Sequence, residues 1–262
     1  MGSAARLLAI LDLFDDGQSV WTAEAASREL NVSVSTAYRY IRNLCEAELL
    51  VPVTGDGYRL GPAILKYDRL IRITDPLLDA SRPILSQLQS DAGDGATAFL
   101  CRMYRENVMC VLDVAGPDAP KDISYERGRP MPMFRGATSK IILAHLPRRT
   151  LKRLYEGHED EIHLALQVTD WRDFLDYLRD MRRHGTCVAE GEVDPDVVGI
   201  AAPVFDDRNS ITASLSIVAK ASQTSVTEAH RLESLAGSAA HAITARLAQS
   251  GGSVPFSPRI VA

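Results

Sequence analysis

The stretch NVSVSTAYRYIRNL, residues 31–44, decides how the rest of the chain is read. Val34, Ala37, Tyr40, Ile41 and Leu44 recur on one helical face, Ser33 is a good N-cap, and Ser35, Thr36, Tyr38, Arg39 and Arg42 fall largely on the other side. From Asn31 to Cys45 the only charged residues are Arg39 and Arg42, so the polar side is locally cationic although the chain of 262 residues carries a net charge of −5. Such a face is either simply solvated or meant for phosphates and base edges, because a duplex feels the local surface presented to it and not the molecular sum.

Upstream, residues 5–14 (ARLLAILDLF) place Leu7, Leu8, Leu11 and Phe14 at helical spacing, closed by the turn residues Asp15, Asp16 and Gly17. Residues 22–30 give a second helix, with Thr22 as cap and Ala23, Ala26 and Leu30 on one face. Three short helices, the last two separated by a tight turn, make a helix-turn-helix, whose final helix lies in the major groove. Downstream, LLVPVTGDGYRLG (49–61) reads as two strands around Asp56-Gly57. That hairpin is a wing: Gly55, Asp56 and Gly57 let its tip approach a sugar-phosphate backbone, and Tyr58 and Arg59 supply contacts.

Residues 62–73 form an amphipathic helix with Pro62 in its first turn, and Asp75-Pro76 leads into another over 76–93, which puts a domain boundary near residue 75. Beyond it, 96–104 and 107–116 alternate as the strands of a hairpin and 121–128 read as a third strand. Residues 136–147 look like a loop entering a helix, and 146–157 and 169–185 are helical, the latter with Trp171, Phe174, Leu175 and Leu178 on one face. Residues 186–192, 197–206 and 211–220 read as strands, 226–248 as a long closing helix and 250–262 as a disordered tail. The fold class is therefore α+β, a mostly antiparallel sheet with helices packed on it.

An apolar fraction of 46% and a charged fraction of 24% are those of an ordinary globular protein, and no run reaches the roughly 18 apolar residues of a membrane helix, so no membrane partner is expected. The first residues lack a charged leader with a long apolar run, which predicts a cytoplasmic protein. Cys45, Cys101, Cys110 and Cys187 form no C-x-x-C pair and are expected as reduced thiols packed like small apolar side chains. His145, His158, His163 and His184 with Cys187, or Glu190, Glu192, Asp194 and Asp196, are the raw material of a metal or acid–base site. None has the spacing that chemistry demands, so neither enzyme activity, cofactor nor metal is expected, and AEGEVDPD (189–196) reads as a solvated loop. A small-molecule sensor or interaction module without DNA binding is the alternative reading.

Several blocks in order resemble the IclR-type bacterial transcriptional regulators: RLLAILDLF, NVSVSTAYRYIRNLCEAELL, GYRLGPAILKY, GRPMPMFRGATSKIILAHLP and GEVDPDVVGIAAPVFDDRNSITASLSIV. The likeness runs nearly from residue 5 to 248. It implies a winged helix-turn-helix over 1–61, a linker helix over 62–75 and a GAF-like effector-binding domain over 76–249. It also implies a repressor that binds a near-palindromic operator in double-stranded DNA as a homodimer, or as a homotetramer built as a dimer of dimers. By the same resemblance a small organic effector, with an anionic one in view because Arg129 and Arg135 flank the loop, sits among Ala137, Thr138, Val197, Gly199, Ser214 and Ser216. Ser214 and Ser216, two apart on a strand, point to one face and need partners there. Where the family pattern often has Gly-Val-Arg-Cys, this chain has Asp196 to Gly199, which is expected to open space and remove a cation near the site.

Overall fold

The computed structural model describes residues 2–121 and 123–249. The expected disordered tail, 250–262, lies outside the described residues. The chain forms two compact units that part between Thr74 and Asp75.

The first unit begins with α1 (Ser3–Ala9), which tightens into a 3-10 turn over Leu11–Leu13. That turn breaks the helix expected over 5–14 and changes which residues face inward. Leu7, Leu11 and Phe14 of the expected stripe pack against the core, but Leu8 is 56% exposed and Ile10, outside that stripe, is fully buried. A short strand β1 (Trp21–Thr22), not foreseen from the sequence, precedes α2 (Ala23–Glu29). The Thr22 hydroxyl accepts from the Ala25 amide at 3.2 Å, and Asn31, at φ 50°, turns the chain out of the helix. α3 (Val34–Glu46) follows, with the Ser33 hydroxyl accepting from the Thr36 amide at 3.3 Å. Ala37, Tyr40, Ile41 and Leu44 are buried against Ala23 and Ala26 of α2 and Leu50, while Val34, in the first turn, is exposed. Strands β2 (Leu50–Val53) and β3 (Gly57–Leu60) pair antiparallel, and β1 pairs with the other edge of β3. Gly57 is not a turn residue: it is buried in β3, where a Cβ would lie 2.5 Å from the Val20 side chain. The turn belongs to Thr54, Gly55 and Asp56, the last two at positive φ. α4 (Ala63–Thr74) closes the unit with Ala63 as its one buried residue.

The second unit opens on α5 (Pro76–Ala92), whose N-cap Asp75 accepts from the Leu77 amide at 2.9 Å and whose first residue is the pre-organised Pro76. Strands β4 (Thr97–Tyr104), β5 (Asn107–Ala115) and β6 (Pro130–Met131) lead to the helices α6 (Ala137–His145), α7 (Arg148–Gly157), α8 (Glu159–Leu166) and α9 (Trp171–His184). Then come β7 (Cys187–Glu190), β8 (Val197–Phe205), β9 (Ile211–Lys220) and α10 (Val226–Gln249). The six strands form one antiparallel sheet in the order β6-β5-β4-β9-β8-β7. Side-chain alternation sorts the two faces. Leu215 and Ile217 pack with α5 and α10, and Phe99, Cys101 and Val218 pack on the opposite face with the helices α6 to α9.

One expectation fails here, and one helix goes unforeseen. Among the described residues of 121–128 there is no strand; Arg127 bridges to Cys110, and the pairing strand is the two-residue β6. α8, with three acids in its first turn, was not read from the sequence. Cys101, Cys110 and Cys187 are buried free thiols, and Cys45 is half-buried. No helix among the described residues is long and apolar enough to cross a membrane.

Asp75 also ties the start of the second unit to its sheet. Arg102 of β4 donates from a guanidinium nitrogen to the second carboxylate oxygen at 2.5 Å, and the two side chains are only 10% and 12% exposed. Removing one partner of a buried pair strands the other charge, at a cost of about 3–5 kcal/mol. Arg102→Met is expected to lower stability by that order, read as a reduced urea midpoint; a change below about 1 kcal/mol would mean that water reaches Asp75.

Candidate functional site

On α3 the side chains of Ser35, Tyr38, Arg39 and Arg42 are exposed and Thr36 is half-exposed. Ser35 and Thr36 hydroxyls are within 3.1 and 2.8 Å of the Ser33 hydroxyl, so the cap residues form one small cluster. Tyr38 donates its phenol to Glu24 of α2 at 3.1 Å, which holds the ring against the neighbouring helix. The two arginines differ. Arg42 pairs with Glu46 one turn on at 3.0 Å, both highly exposed, whereas Arg39 has no acidic partner among the described residues and its guanidinium lies over the Tyr40 ring at 5.7 Å. Arg59 is exposed on β3; its neighbour Tyr58 instead packs against the core of the first unit, opposite Trp21. Asn43, exposed on the same face as Arg39, is a further candidate that the reading of charge alone passed over.

In the second unit, Ala137, Thr138, Val197 and Gly199 line one cavity. Ser216 stands directly behind it, with its hydroxyl accepting from the Thr138 hydroxyl at 3.1 Å. Ser214 is on the same strand face but not in the lining, and its buried hydroxyl makes no hydrogen bond among the described residues. The remaining walls are residues that the sequence reading missed: Tyr125, Gly136, Ala189, Glu192, Val193, Asp194 and Val218. The cavity volume is about 20 Å³, room for a single water.

The segment 189–196, expected as a solvated loop, instead begins in β7 and lines the cavity through Ala189, Glu192, Val193 and Asp194. Glu192 accepts from the Gly136 amide at 2.9 Å, at the N-terminus of α6, and from the Lys140 ammonium at 2.5 Å. Asp194 accepts from the Ser124 amide at 2.9 Å and the Ser124 hydroxyl at 2.5 Å. Burial alone would pull the Lys140 ammonium down; Cys187, Glu192 and Tyr177 outweigh it and hold the ammonium above its usual range. Burial pushes the Tyr125 phenol well above the usual tyrosine range, opposed by the nearby Thr138 hydroxyl.

Of the two residues where the family pattern has Arg-Cys, only Gly199 borders the cavity. Val198 points to the other face, into the core with α5 and α10, and a Cβ on Gly199 would already touch Ala137 at 3.7 Å. The histidines proposed for an alternative chemistry are scattered: His158 meets Glu106 and Glu161, His163 meets Tyr155, and His145 meets the Ile141 carbonyl. Among the described residues no group of three metal-ligating side chains comes together.

Two family models match the chain. Residues 74–245 match the bacterial transcriptional regulator IclR C-terminal domain, and residues 3–53 match the IclR helix-turn-helix domain. The chain is 22% identical over 215 residues to the HTH-type transcriptional regulator KipR of Bacillus subtilis, covering 82% of this chain and 84% of that one. In fold it is similar to an IclR transcriptional regulator from Alicyclobacillus acidocaldarius, with a TM-score of 0.76, 21% identity and coverage of 93% and 98%. It is also similar to an IclR homolog from Microbacterium hydrocarbonoxydans complexed with 4-hydroxybenzoate, with a TM-score of 0.73, 19% identity and coverage of 94% and 99%.

Gly136 is the sharpest local constraint in the cavity: its φ is +78°, and a Cβ there would lie 2.5 Å from the Tyr125 hydroxyl. Gly136→Ala is expected to destabilise by about 1–3 kcal/mol through backbone strain and displacement of the phenol. Adding Tyr125→Phe should recover part of that loss in a thermal unfolding series, since it deletes the clashing oxygen; strict additivity of the two changes would mean that the contact is not the cause.

Proposed function

The chain belongs to the IclR family of bacterial transcriptional regulators, and on that footing we propose that it is a cytoplasmic repressor, without enzyme activity, whose operator binding is set by a small organic effector. The observation that carries the DNA end is the exposed, carboxylate-poor face of α3, with Arg39 free of any acidic partner among the described residues while the opposite face is the core. Arg39 and Asn43 are suited to base edges, and Ser35, Thr36 and Arg59 to phosphates. Arg42 must first leave Glu46, and so contributes less.

One bidentate base contact discriminates by about 1–3 kcal/mol, too little to find one site in a genome, so two copies reading a near-palindrome are needed. α4 offers the means. Leu65, Tyr67, Leu70, Ile71 and Ile73 are all more than 40% exposed on this 12-residue helix, an apolar surface that a second copy would cover. A further pairing into a dimer of dimers is compatible with the family but rests on no residue named above.

The effector is placed in the cavity under the 191–196 segment. At about 20 Å³ it admits nothing larger than water, so an effector the size of the hydroxybenzoate held by the Microbacterium relative enters only if Glu192 and Asp194 swing away. An anionic group would then take over the Gly136 amide and Lys140, which now serve Glu192. By linkage, an effector that weakens operator binding is itself bound more weakly by the DNA complex, by the same factor.

Gel shifts against DNA upstream of the gene, at several salt concentrations, test this reading. Arg39→Ala is expected to lose about 10- to 100-fold in operator affinity, Arg42→Ala several-fold less, and Arg59→Ala to flatten the salt dependence by about one unit of slope. Equal losses from Arg39 and Arg42 would contradict the assignment. Ile71→Asp is expected to shift the sedimentation of the full chain toward the monomer and to weaken operator binding with it; an unchanged assembly would take the dimer contact away from α4.

A further inference from the structure

The helix α6 has the effector cavity at its N-terminal end and a second concavity at its C-terminal end. Nine residues at 1.5 Å each separate the two by about 13 Å. The second is an open cleft of about 670 Å³, within the size range of small-molecule sites, between the end of α6, the start of α7, α9 and the β8–β9 hairpin. Its apolar wall is Leu146, Leu151, Leu175 and Phe205. Leu146 and Leu151 are buried residues of the core on that face, so this wall is a rigid one.

The polar wall is cationic. Arg179 is cancelled by Asp176 and Asp180, at 2.7 and 3.7 Å. Arg148 has neither an ion pair nor a side-chain hydrogen bond among the described residues. Arg182 is fixed in place by donating to the Ala144 carbonyl at 2.6 Å, a bond to the last turn of α6 that leaves its charge without a carboxylate among the described residues. Arg148 is also the first residue of α7, a helix with no acid in its first turn and no side chain capping it, so the positive end of the helix adds to the same field. Two guanidinium groups without carboxylate partners among the described residues therefore border one apolar wall, the setting an organic anion requires.

We propose that this cleft is a second small-molecule site, separate from the effector cavity, which takes an aromatic or branched-chain organic monoanion. The acid group lies against Arg148 and Arg182, and the apolar body lies on Leu146, Leu151 and Phe205. Because Arg182 holds the Ala144 carbonyl, a ligand that engages its guanidinium acts on the end of the same helix whose other end carries Gly136 and Thr138. Occupancy of the cleft therefore changes affinity at the effector cavity.

The test uses the full chain with methyl-labelled leucine and valine and titrates 1-naphthoate, with 1-naphthamide as the uncharged isostere. Expected are saturable shifts of the Leu146, Leu151 and Leu175 methyls, with naphthamide at least about tenfold weaker, the loss of one charge-assisted contact. Arg148→Ala, which disturbs no described contact, should weaken naphthoate by a similar factor, and Arg182→Ala should do so as well if it folds. Shifts confined to Val193, Val197 and Val218 would place the probe in the effector cavity and overturn the proposal. So would equal binding of acid and amide, indifference to Arg148→Ala, or no saturable shift with either probe. None of these outcomes bears on operator binding, so the regulator reading stands or falls separately.

Discussion

A nine-residue helix with eight buried residues cannot leave its polar groups to water, and apart from the Ser139 hydroxyl, which has no partner among the described residues, those of α6 are met from within the fold. Thr138 is answered by Ser216, and Lys140 by Glu192, which also accepts from the Gly136 amide at the helix N-terminus. At the other end, Arg182 donates to the Ala144 carbonyl and His145 meets the Ile141 carbonyl. The His145 bond stays within α6, and the others reach three different elements: β9, the 191–196 segment and α9. α6 therefore both lines the cavity and ties it to the elements around it.

The same account explains why the cavity is nearly closed. A buried ammonium needs a carboxylate, and the helix end favours an anion. Glu192 serves both needs and in doing so draws its loop over Thr138 and Tyr125. Glu192 and Asp194 thereby take up the donors that border the cavity, the Gly136 and Ser124 amides, the Lys140 ammonium and the Ser124 hydroxyl.

Charge pairing sorts the cations of an acidic chain into spent and available ones. Arg42 meets Glu46, Arg179 meets Asp176, and Lys140 meets Glu192; Arg39 meets only the ring of Tyr40. Composition is silent on this, since a net charge of −5 describes all of them alike. The exposed arginine of α3 and the cationic cleft beside α7 fall among the available ones, and each lies beside an apolar surface.

How far the chain could be read without coordinates follows from the range of the forces involved. Helical periodicity and the Thr22 and Ser33 caps act within a few residues, so α2, α3 and their turn were legible, as were the long strands, whose alternation puts Ser214 and Ser216 on one sheet face. Where local signals were weak or mixed, the reading slipped: the 3-10 turn that buries Ile10, the glycine in β3 that packs against Val20, and the aperiodic stretch 121–128. The candidate cavity was half legible. Four of its walls came from a resemblance, but the carboxylates came from nowhere in the local pattern: Glu192 meets Lys140 across 52 positions, and Asp194 meets Ser124 across 70. The sequence by itself determined the longer helices and strands and most of the faces they turn inward, because periodicity and caps act locally. Only the tertiary structure decided that an apparently solvated acidic loop lines a cavity and which arginines keep their charge uncancelled, because a carboxylate's partner is set by where distant chain is brought beside it.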